Sequence, residues 1–500
     1  MVASALRLRD LLAGAEVSHV DGDPELEIGS LVLDSRRAEP GSLFFCVPGH
    51  VADGHAFAPY AVQAGASALV VEHDVDVEGP VTKVYVADAR SAMAQAAARF
   101  YDEPTEGLRV VGITGTNGKT TTAFLIRHVL ESLGLKTGLM GTVQQVVGGV
   151  GEPVERTTPE AIDLQRTFRR MVDAGDRFCA IEVSSHALEL RRTLGIRFAV
   201  ATFTNLTQDH LDFHADMEGY FQAKRRLFVH ERSERHAINA DDEYGRRLLA
   251  ESDDAVSFSV SGAEEATLRA TEVSFDALGS RFVCVEGADE VEVRSGLPGL
   301  FNVENQLAAL ASLRCLGFGL HEAADALGSA PRVPGRFEPI DEGQDFGVLV
   351  DYAHTPDSLD NVLRAARSLT SGRLISVFGC GGDRDRAKRP LMGEIGARLS
   401  DLAIVTSDNP RSEDPARVVD EVLEGAQSAD GAGELRSEVD RAEAIAAAVA
   451  AAQPGDTVVI AGKGHEQGQE FAGGRKIPFD DRDVAREALR GRAGGPPAPR

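Results

Sequence analysis

The apolar run LRVVGI at residues 108–113 passes straight into TGTNGKTTT and then into the amphipathic stretch TTAFLIRHVLESLG. A strand, a glycine-rich turn and a helix in that order constrain the fold strongly. The helix N-terminus then faces the turn with its backbone N–H groups and the positive end of its dipole, which suits a phosphate. The usual phosphate loop has a glycine, four residues, then Gly-Lys-Ser/Thr. Counting back from Gly118 puts Ile113 at the first glycine, and Gly112 and Gly115 stand nearby instead. The physics survives the shift. Gly115, Thr116, Asn117, Gly118 and Thr121 are expected to cradle a nucleotide, with Lys119 on the β- and γ-phosphates and the Thr120 hydroxyl on Mg²⁺. An ordinary strand-to-helix connection would explain the glycines but not the Lys-Thr pair.

A chain of 500 residues exceeds a single core, so about three domains are expected. No apolar run approaches a membrane span, and MVASALRLRDLLAG lacks a long hydrophobic segment before a cleavage site. Cys46, Cys179, Cys284, Cys315 and Cys380 are scattered through apolar runs without CxxC pairing. They read as buried thiols of a soluble, cytoplasmic protein in a reducing compartment. The formal net charge of -26 argues against a nucleic-acid partner.

Residues 1–103 alternate short strands (SLVLDS, SLFFCV, ALVVEH, KVYVAD) with helical stretches and form an expected first domain, ending near DEPTEG. Residues 104–332 carry the loop, further strands in FCAIEVSS and FAVATFTN, a helix through MEGYFQAKRRLF, and a closing helix, LPGLFNVENQLAALASLRCLGF. From 333 to 490, GVLVDYAH, RLISVFGCGG, LAIVTSDN and DTVVIAGKGHE each read as a buried strand ending in polar residues, with helical segments between them. That is the pattern of a doubly wound parallel sheet, whose ligands collect at the C-terminal strand ends. Residues 491–500 read as a disordered tail. The expected class is α/β with three domains: the central one P-loop ATPase-like, the last Rossmann-like.

Polar stretches that follow apolar runs are placed to converge on the loop. EVSSH supplies Glu182, NLTQDHLDFH supplies Asp209, His210, Asp212 and His214, and GYFQAK supplies Lys224. Taken singly, His210 reads as a hydrogen-bonded loop histidine and Lys224 as part of a solvated helix face. The density of Asp and His in one loop favours function.

TGTNGKTTT, EVSSHAL, NLTQDHLDFH, YFQAK, NVENQLAA, PGRFE, VDYAHTP, GCGGDRDRAKRP, DNPRSEDP and GKGHE, in this order, resemble the Mur ligases. The altered loop is itself what that family shows. The likeness covers all three sections and is strongest to the member that adds the third residue of the peptidoglycan stem peptide. It implies an ATP-dependent amide ligase joining meso-2,6-diaminopimelate to UDP-N-acetylmuramoyl-L-alanyl-D-glutamate. ATP phosphorylates the substrate carboxylate, and the incoming amine attacks the acyl phosphate. Thr120 and Glu182 would bind one Mg²⁺, and His210 with Lys224 a second. In the family this lysine is carbamylated by CO₂, which turns a cation into a ligand. Lys119, Glu182, His210 and Lys224 are the expected catalytic set. Asn302, Arg336 and Asp351 match positions that hold adenine, a phosphate and ribose. Leu33, Ser35, His50, Val51 and Ala52 match the uridine site. Thr157, Thr158, Ser184 and Arg192 match contacts to sugar and peptide, while Leu190 stands where a family relative has Gln. Standing alone, Ser35 would read as a turn cap.

DNPRSEDP follows the strand LAIVTS. Ser412, Glu413 and Asp414 read as caps of a helix beginning near Pro415. Arg411 needs another reason. Diaminopimelate carries a second zwitterionic end whose carboxylate suits a guanidinium fork, whereas lysine offers only an ammonium there. Arg384 is expected to hold carboxylate too. Asp408, Asn409 and Glu466 are expected to receive amines, with Pro410 and Gly462 lining the same site. A lysine-adding relative, a folylpolyglutamate synthetase-like ligase and a non-enzymatic ATP switch stay open. The folate reading leaves the N-terminal domain unexplained, and the switch leaves DNPR beside GKGHE unexplained.

Overall fold

The computed structural model describes residues 5–49, 52–154, 156–229, 232–276 and 279–493. The chain divides into two compact units. The first comprises Met1–Thr114, Gly134–Ala201 and Ala223–Glu234, and the second Gly115–Leu133, Thr202–Gln222 and Arg235–Arg500.

In the first unit a five-stranded sheet runs Val17–Asp21, Thr82–Val86, Ala68–Val71, Ser42–Phe45, Ser30–Val32. The first pair is antiparallel and the rest are parallel. Side chains alternate faces along each strand. Leu43, Phe45 and Val70 thus meet the helix Ala89–Phe100, whereas Phe44, Leu69 and Val71 meet Ala58 and Ala61 of the helix Ala58–Gln63. Asp88 caps the longer helix by accepting the Ser91 N–H at 2.9 Å, a contact worth about 1 kcal/mol. The same unit contains parallel strands Thr137–Met140, Phe178–Glu182 and Arg109–Thr114, with Glu182 opposite Ile113. Glu182 and Thr114 therefore finish at the same edge.

In the second unit the helix Lys119–Ser132 packs on the buried helix Leu300–Leu316. The strand Ala255–Ser259 leads to Leu268–Asp276, Gly279–Glu286 and Asp289–Ser295, of which the last three pair as an antiparallel meander. A separate six-stranded sheet runs Glu338–Pro339, Gly347–Asp351, Thr457–Ala461, Leu374–Phe378, Leu402–Val405, Glu434–Ser437. All pairs but the first are parallel. Leu374 and Phe378 pack toward the helices Pro356–Leu369, Lys388–Leu399 and Pro415–Gln427, while Ile375 and Val377 pack toward Arg441–Ala451 and Asp481–Ala493. Burying both faces gives each apolar side chain roughly 1.5–3 kcal/mol and explains the uninterrupted apolar runs. The expected α/β class and doubly wound C-terminal sheet are thus present. Asp351 pairs with Ala461 and Phe378 with Val405, so the loops YAHTP, GCGGDR, TSDNPR and GKGHE leave one edge. The last helix continues to Ala493, past the tail boundary expected at 490, and residues 494–500 lie outside the described residues.

Candidate active site

Gly118 caps the helix Lys119–Ser132 at φ 85°, and Gly115 lies at φ 150°. A Cβ would stand 2.2 Å from Asn305 Oδ1 at Gly118 and 1.9 Å from Thr204 Oγ1 at Gly115, so only glycine fits either position. Asn205 clamps the loop. Its carbonyl accepts the Thr116 N–H and its side-chain oxygen the Asn117 N–H, both at 2.9 Å. The Thr204 hydroxyl donates to Asn117 O at 2.6 Å, and Asn117 Nδ2 donates to Asp357 at 2.8 Å. Lys119 Nζ donates to the loop carbonyls of Gly115 at 2.9 Å and Thr116 at 2.7 Å. Thr121 is buried at the start of the helix.

Arg336 joins this loop. Its Nη2 donates to Thr120 Oγ1 at 2.7 Å, its guanidinium carbon sits 4.5 Å from the Tyr352 ring centroid, and its Nε is buried without a hydrogen-bond partner among the described residues. Asp351 accepts the N–H groups of Phe337 and Ala353, both at 2.7 Å. Burial pushes its carboxyl up to about 6, against the opposing pull of Arg336. Asn302 donates to Pro298 O at 2.8 Å and accepts from Asn305 at 3.4 Å.

In the first unit, Glu182 is 1% exposed and accepts the Thr142 N–H at 2.7 Å and the Thr142 hydroxyl at 3.1 Å. Lys224 is equally buried, on the helix Met217–Arg225, with Nζ 3.4 Å from Thr114 Oγ1. The solvated helix face that Lys224 would suggest taken singly is not what is seen: the helix turns its lysine inward. Thr158 Oγ1 donates to Glu182 O at 2.8 Å, and Thr157 shares a 3.0 Å contact with Thr142. Arg192 reaches Thr158 O at 3.2 Å and Glu160 at 2.8 Å. Ser184 caps the helix Ser185–Glu189, which ends at Leu190. Asp34, rather than Ser35, caps the turn Ser35–Arg37. Leu33 is partly buried, and Ala52 O accepts the Gly49 N–H at 3.0 Å. His50 and Val51 lie outside the described residues.

In the second unit, His210 adopts φ 57°, a strained conformation for a non-glycine residue. Its ring lies 3.4 Å from buried Asp209, which also faces His354 at 3.9 Å and Lys388 at 3.7 Å. Burial alone would raise the Asp209 carboxyl, but His210, Lys388 and His354 hold it well below the carboxylate range. His214 stacks on Tyr220 at 5.0 Å.

The amino-acid end departs from expectation in detail. Arg411, at φ 50°, donates from Nη1 to Gly382 O at 2.7 Å and pairs through Nε with Glu470 Oε2 at 3.4 Å. Arg384 donates to Asp383 O at 3.2 Å. The Asn409 oxygen, expected to receive a substrate amine, instead accepts from Lys463 Nζ at 2.9 Å and the Glu470 N–H at 3.0 Å. Its Nδ2 points to Glu466 at 3.0 Å. Of the three expected caps only Asp414 serves, accepting the Ala416 N–H at 3.0 Å. Glu413 instead pairs with buried Arg389 at 2.8 Å, and the Ser412 hydroxyl donates to Asp383 at 2.6 Å. Pro410 O accepts the Glu413 N–H at 3.0 Å, and Gly462 sits at φ 126° with its N–H on Asp351 O.

Several of these residues were missed from sequence. Asn205 and Thr204 follow the strand Phe198–Phe203 directly, which was the available signal. Lys463 stands inside GKGHE. Glu470, on a short antiparallel ribbon with Arg475–Pro478, carried no signal. Asp53, His55 and His73 also cluster. His55 Nδ1 meets Asp53 at 2.6 Å and its Nε2 accepts the Glu72 N–H at 2.9 Å, so neither nitrogen is left for a metal.

Comparison with known proteins agrees along the whole chain. Residues 27–101 match the Mur ligase family, catalytic domain, residues 113–313 the Mur ligase middle domain, and residues 335–464 the Mur ligase, glutamate ligase domain. The chain is 44% identical over 497 residues to the UDP-N-acetylmuramoyl-L-alanyl-D-glutamate--2,6-diaminopimelate ligase of Syntrophomonas wolfei, covering 97% of this chain and 100% of that protein. It is 47% identical to the ligase of the same name from Geobacillus kaustophilus, over 97% of this chain and 99% of that one. A solved structure of a ligase of that name superposes with a TM-score of 0.68 at 32% identity, covering 98% of this chain and 100% of the other.

Proposed function

The chain belongs to the Mur ligase family, and on that premise we propose the following reading. It is the ATP-dependent ligase that joins meso-2,6-diaminopimelate to UDP-N-acetylmuramoyl-L-alanyl-D-glutamate in peptidoglycan synthesis. The γ-phosphoryl group passes to the dipeptide carboxylate, releasing ADP. The amine then displaces phosphate through a tetrahedral intermediate, forming the amide. The observation that carries the amino-acid assignment is Arg411, held against the carboxylate of Glu470 at 3.4 Å. Glu470 partly satisfies this guanidinium, and the distal carboxylate of diaminopimelate would be a second, chemically matched partner for its remaining donors.

Support for ATP comes from the glycine loop and from Arg336, whose buried Nε lacks an acceptor among the described residues beside Thr120. Lys119 and Arg336 would offset the charge accumulating as anions are brought together. Asn302 and Asp351 would hold adenine and ribose. Mg²⁺ suits the oxygen donors Thr120 and Glu182, and a second ion His210 with carbamylated Lys224. These ions would neutralise phosphate oxygens. Lys224 is 1% exposed, so a carbamate formed on it would lie inside the fold. Leu33, Ser35, His50, Val51 and Ala52 are assigned to uridine, and Thr157, Thr158, Ser184 and Arg192 to sugar and peptide. Domains at 1–103, 104–332 and 333–490 are supported by the three matched segments, each lying within one of them. Cytoplasmic action is part of this reading, supported by the five free cysteines, which suit a reducing compartment. Among the described residues no helix is long and apolar enough to cross a membrane, and the net charge of -26 disfavours nucleic acid.

The test is phosphate release from ATP in the presence of the UDP-muramoyl dipeptide and a panel of amino acids. Turnover with meso-diaminopimelate and not with L-lysine or glutamate is expected. Preference for L-lysine, or use of a folate in place of the dipeptide, overturns the reading.

A further inference from the structure

Lys463 has a side chain that is 0% exposed, in the loop after the strand Thr457–Ala461. Its ammonium has three protons and, among the described residues, three neighbours: Glu466 Oε2 at 2.8 Å, Asn409 Oδ1 at 2.9 Å and Asp408 Oδ1 at 3.5 Å. An ammonium only donates. Asn409 must therefore turn its oxygen inward, an orientation reinforced by the Glu470 N–H, and its NH₂ is directed at Glu466. Arg441, another buried cation of this loop cluster, is committed elsewhere. It pairs with Asp481 at 2.7 Å, both 0% exposed, and donates to Ala461 O at 3.0 Å and Ser407 O at 3.5 Å.

We propose that Lys463 is a positioning residue for the incoming amino acid. It fixes the amide of Asn409 with its NH₂ on the Glu466 side and shares the charge of Asp408 and Glu466. Glu466, 31% exposed and also taking the Tyr352 hydroxyl at 3.3 Å, is then the acceptor presented to the substrate amine. The second N–H of Asn409, the one not directed at Glu466, is the donor for a substrate carboxylate. Without Lys463, Asp408 and Glu466 lose the cation they share, and the Asn409 oxygen keeps only the Glu470 N–H among the described residues. The proposal rests on the ligase reading given above.

The test is Lys463→Met, which keeps the length of the side chain and removes its donors and charge. The KM for the amino acid is expected to rise at least about tenfold, while the KM values for ATP and the UDP-dipeptide stay within about twofold. Hydroxylamine trapping of the acyl phosphate in the absence of amino acid is expected to match the parent. An unchanged amino-acid KM with lowered kcat and melting temperature indicates a merely structural lysine and overturns the proposal. If Lys463→Met does not fold, Asn409→Leu removes the positioned amide and leaves Lys463 with its carboxylates; an unchanged amino-acid KM in that variant also overturns it. The KM is read with whichever amino acid the parent enzyme uses. A parent that rejects diaminopimelate therefore refutes the ligase specificity without deciding the role of Lys463.

Discussion

Arg411 Nε lies 3.4 Å from Glu470 Oε2, so the guanidinium expected to await a substrate carboxylate already has a protein carboxylate beside it. That changes the magnitude of the expected selectivity. A buried group left unpaired by the wrong substrate yields discrimination of order 10⁴. With Glu470 available, lysine leaves Arg411 paired. Preference for meso-diaminopimelate over L-lysine is therefore expected at about 10² to 10³ in kcat/KM, below that limit. Arg411→Ala should lower diaminopimelate use at least about a hundredfold without creating good lysine use, because Arg384 remains. Steady-state kcat/KM for both amino acids in parent and variant measures this. An unchanged preference would show that Arg411 serves only the turn.

Lys119→Ala is expected to abolish turnover, by at least about 10³, with the melting temperature within a few degrees of the parent. Lys119 Nζ donates to loop carbonyls at 2.7 and 2.9 Å, and an arriving phosphate draws it away. Near-normal ATP-dependent ligation by this variant would remove the phosphate-loop assignment.

Lys224→Ala should lose activity that acetate or formate partly restores, since a small carboxylate can take the place of a carbamate as an oxygen ligand. The side chain is 1% exposed, so the variant leaves a cavity able to admit one. Intact-protein mass at full activity checks the modification directly. An unmodified amine in fully active enzyme refutes it.

What could be read from sequence follows the range of the forces involved. Strand periodicity and glycine placement are local, so the loop at Gly115–Gly118 and the edge where DNPR and GKGHE emerge were legible. Two departures have longer-range causes. Asn409 points its amide according to Lys463 and the backbone of Glu470, both far along the chain. Glu413 leaves the expected capping role because buried Arg389 offers a stronger, charged partner. Lys224 taken singly reads as a solvated helix residue, and only the density of Asp and His in the loop before it points to the function expected there; its burial beside Thr114 depends on how the helix packs. A tendency such as capping yields wherever a buried charge needs compensation.

Glu304 supplies the pH test. It is a partly buried carboxyl beside Asp357, Asp241 and Asp242, contacted by Asn239 Nδ2 at 2.5 Å. Burial, with those neighbouring carboxylates, pushes it up to about 8 from 4.5. In the window between those values the folded state holds a proton that the unfolded state releases, so this group's contribution to stability is full below about pH 4.5 and declines as pH rises toward 8. An amide at this position cannot titrate, so Glu304→Gln removes that decline. The stability difference, variant minus parent, should thus become steadily more favourable to the variant from about pH 5 to pH 8 and level off above, whatever its value at the acid end. Denaturant melts of both proteins across that range measure it. A difference that stays flat with pH would mean that Glu304 is ionised in the folded protein and that Asn239 and Asn205 compensate its charge.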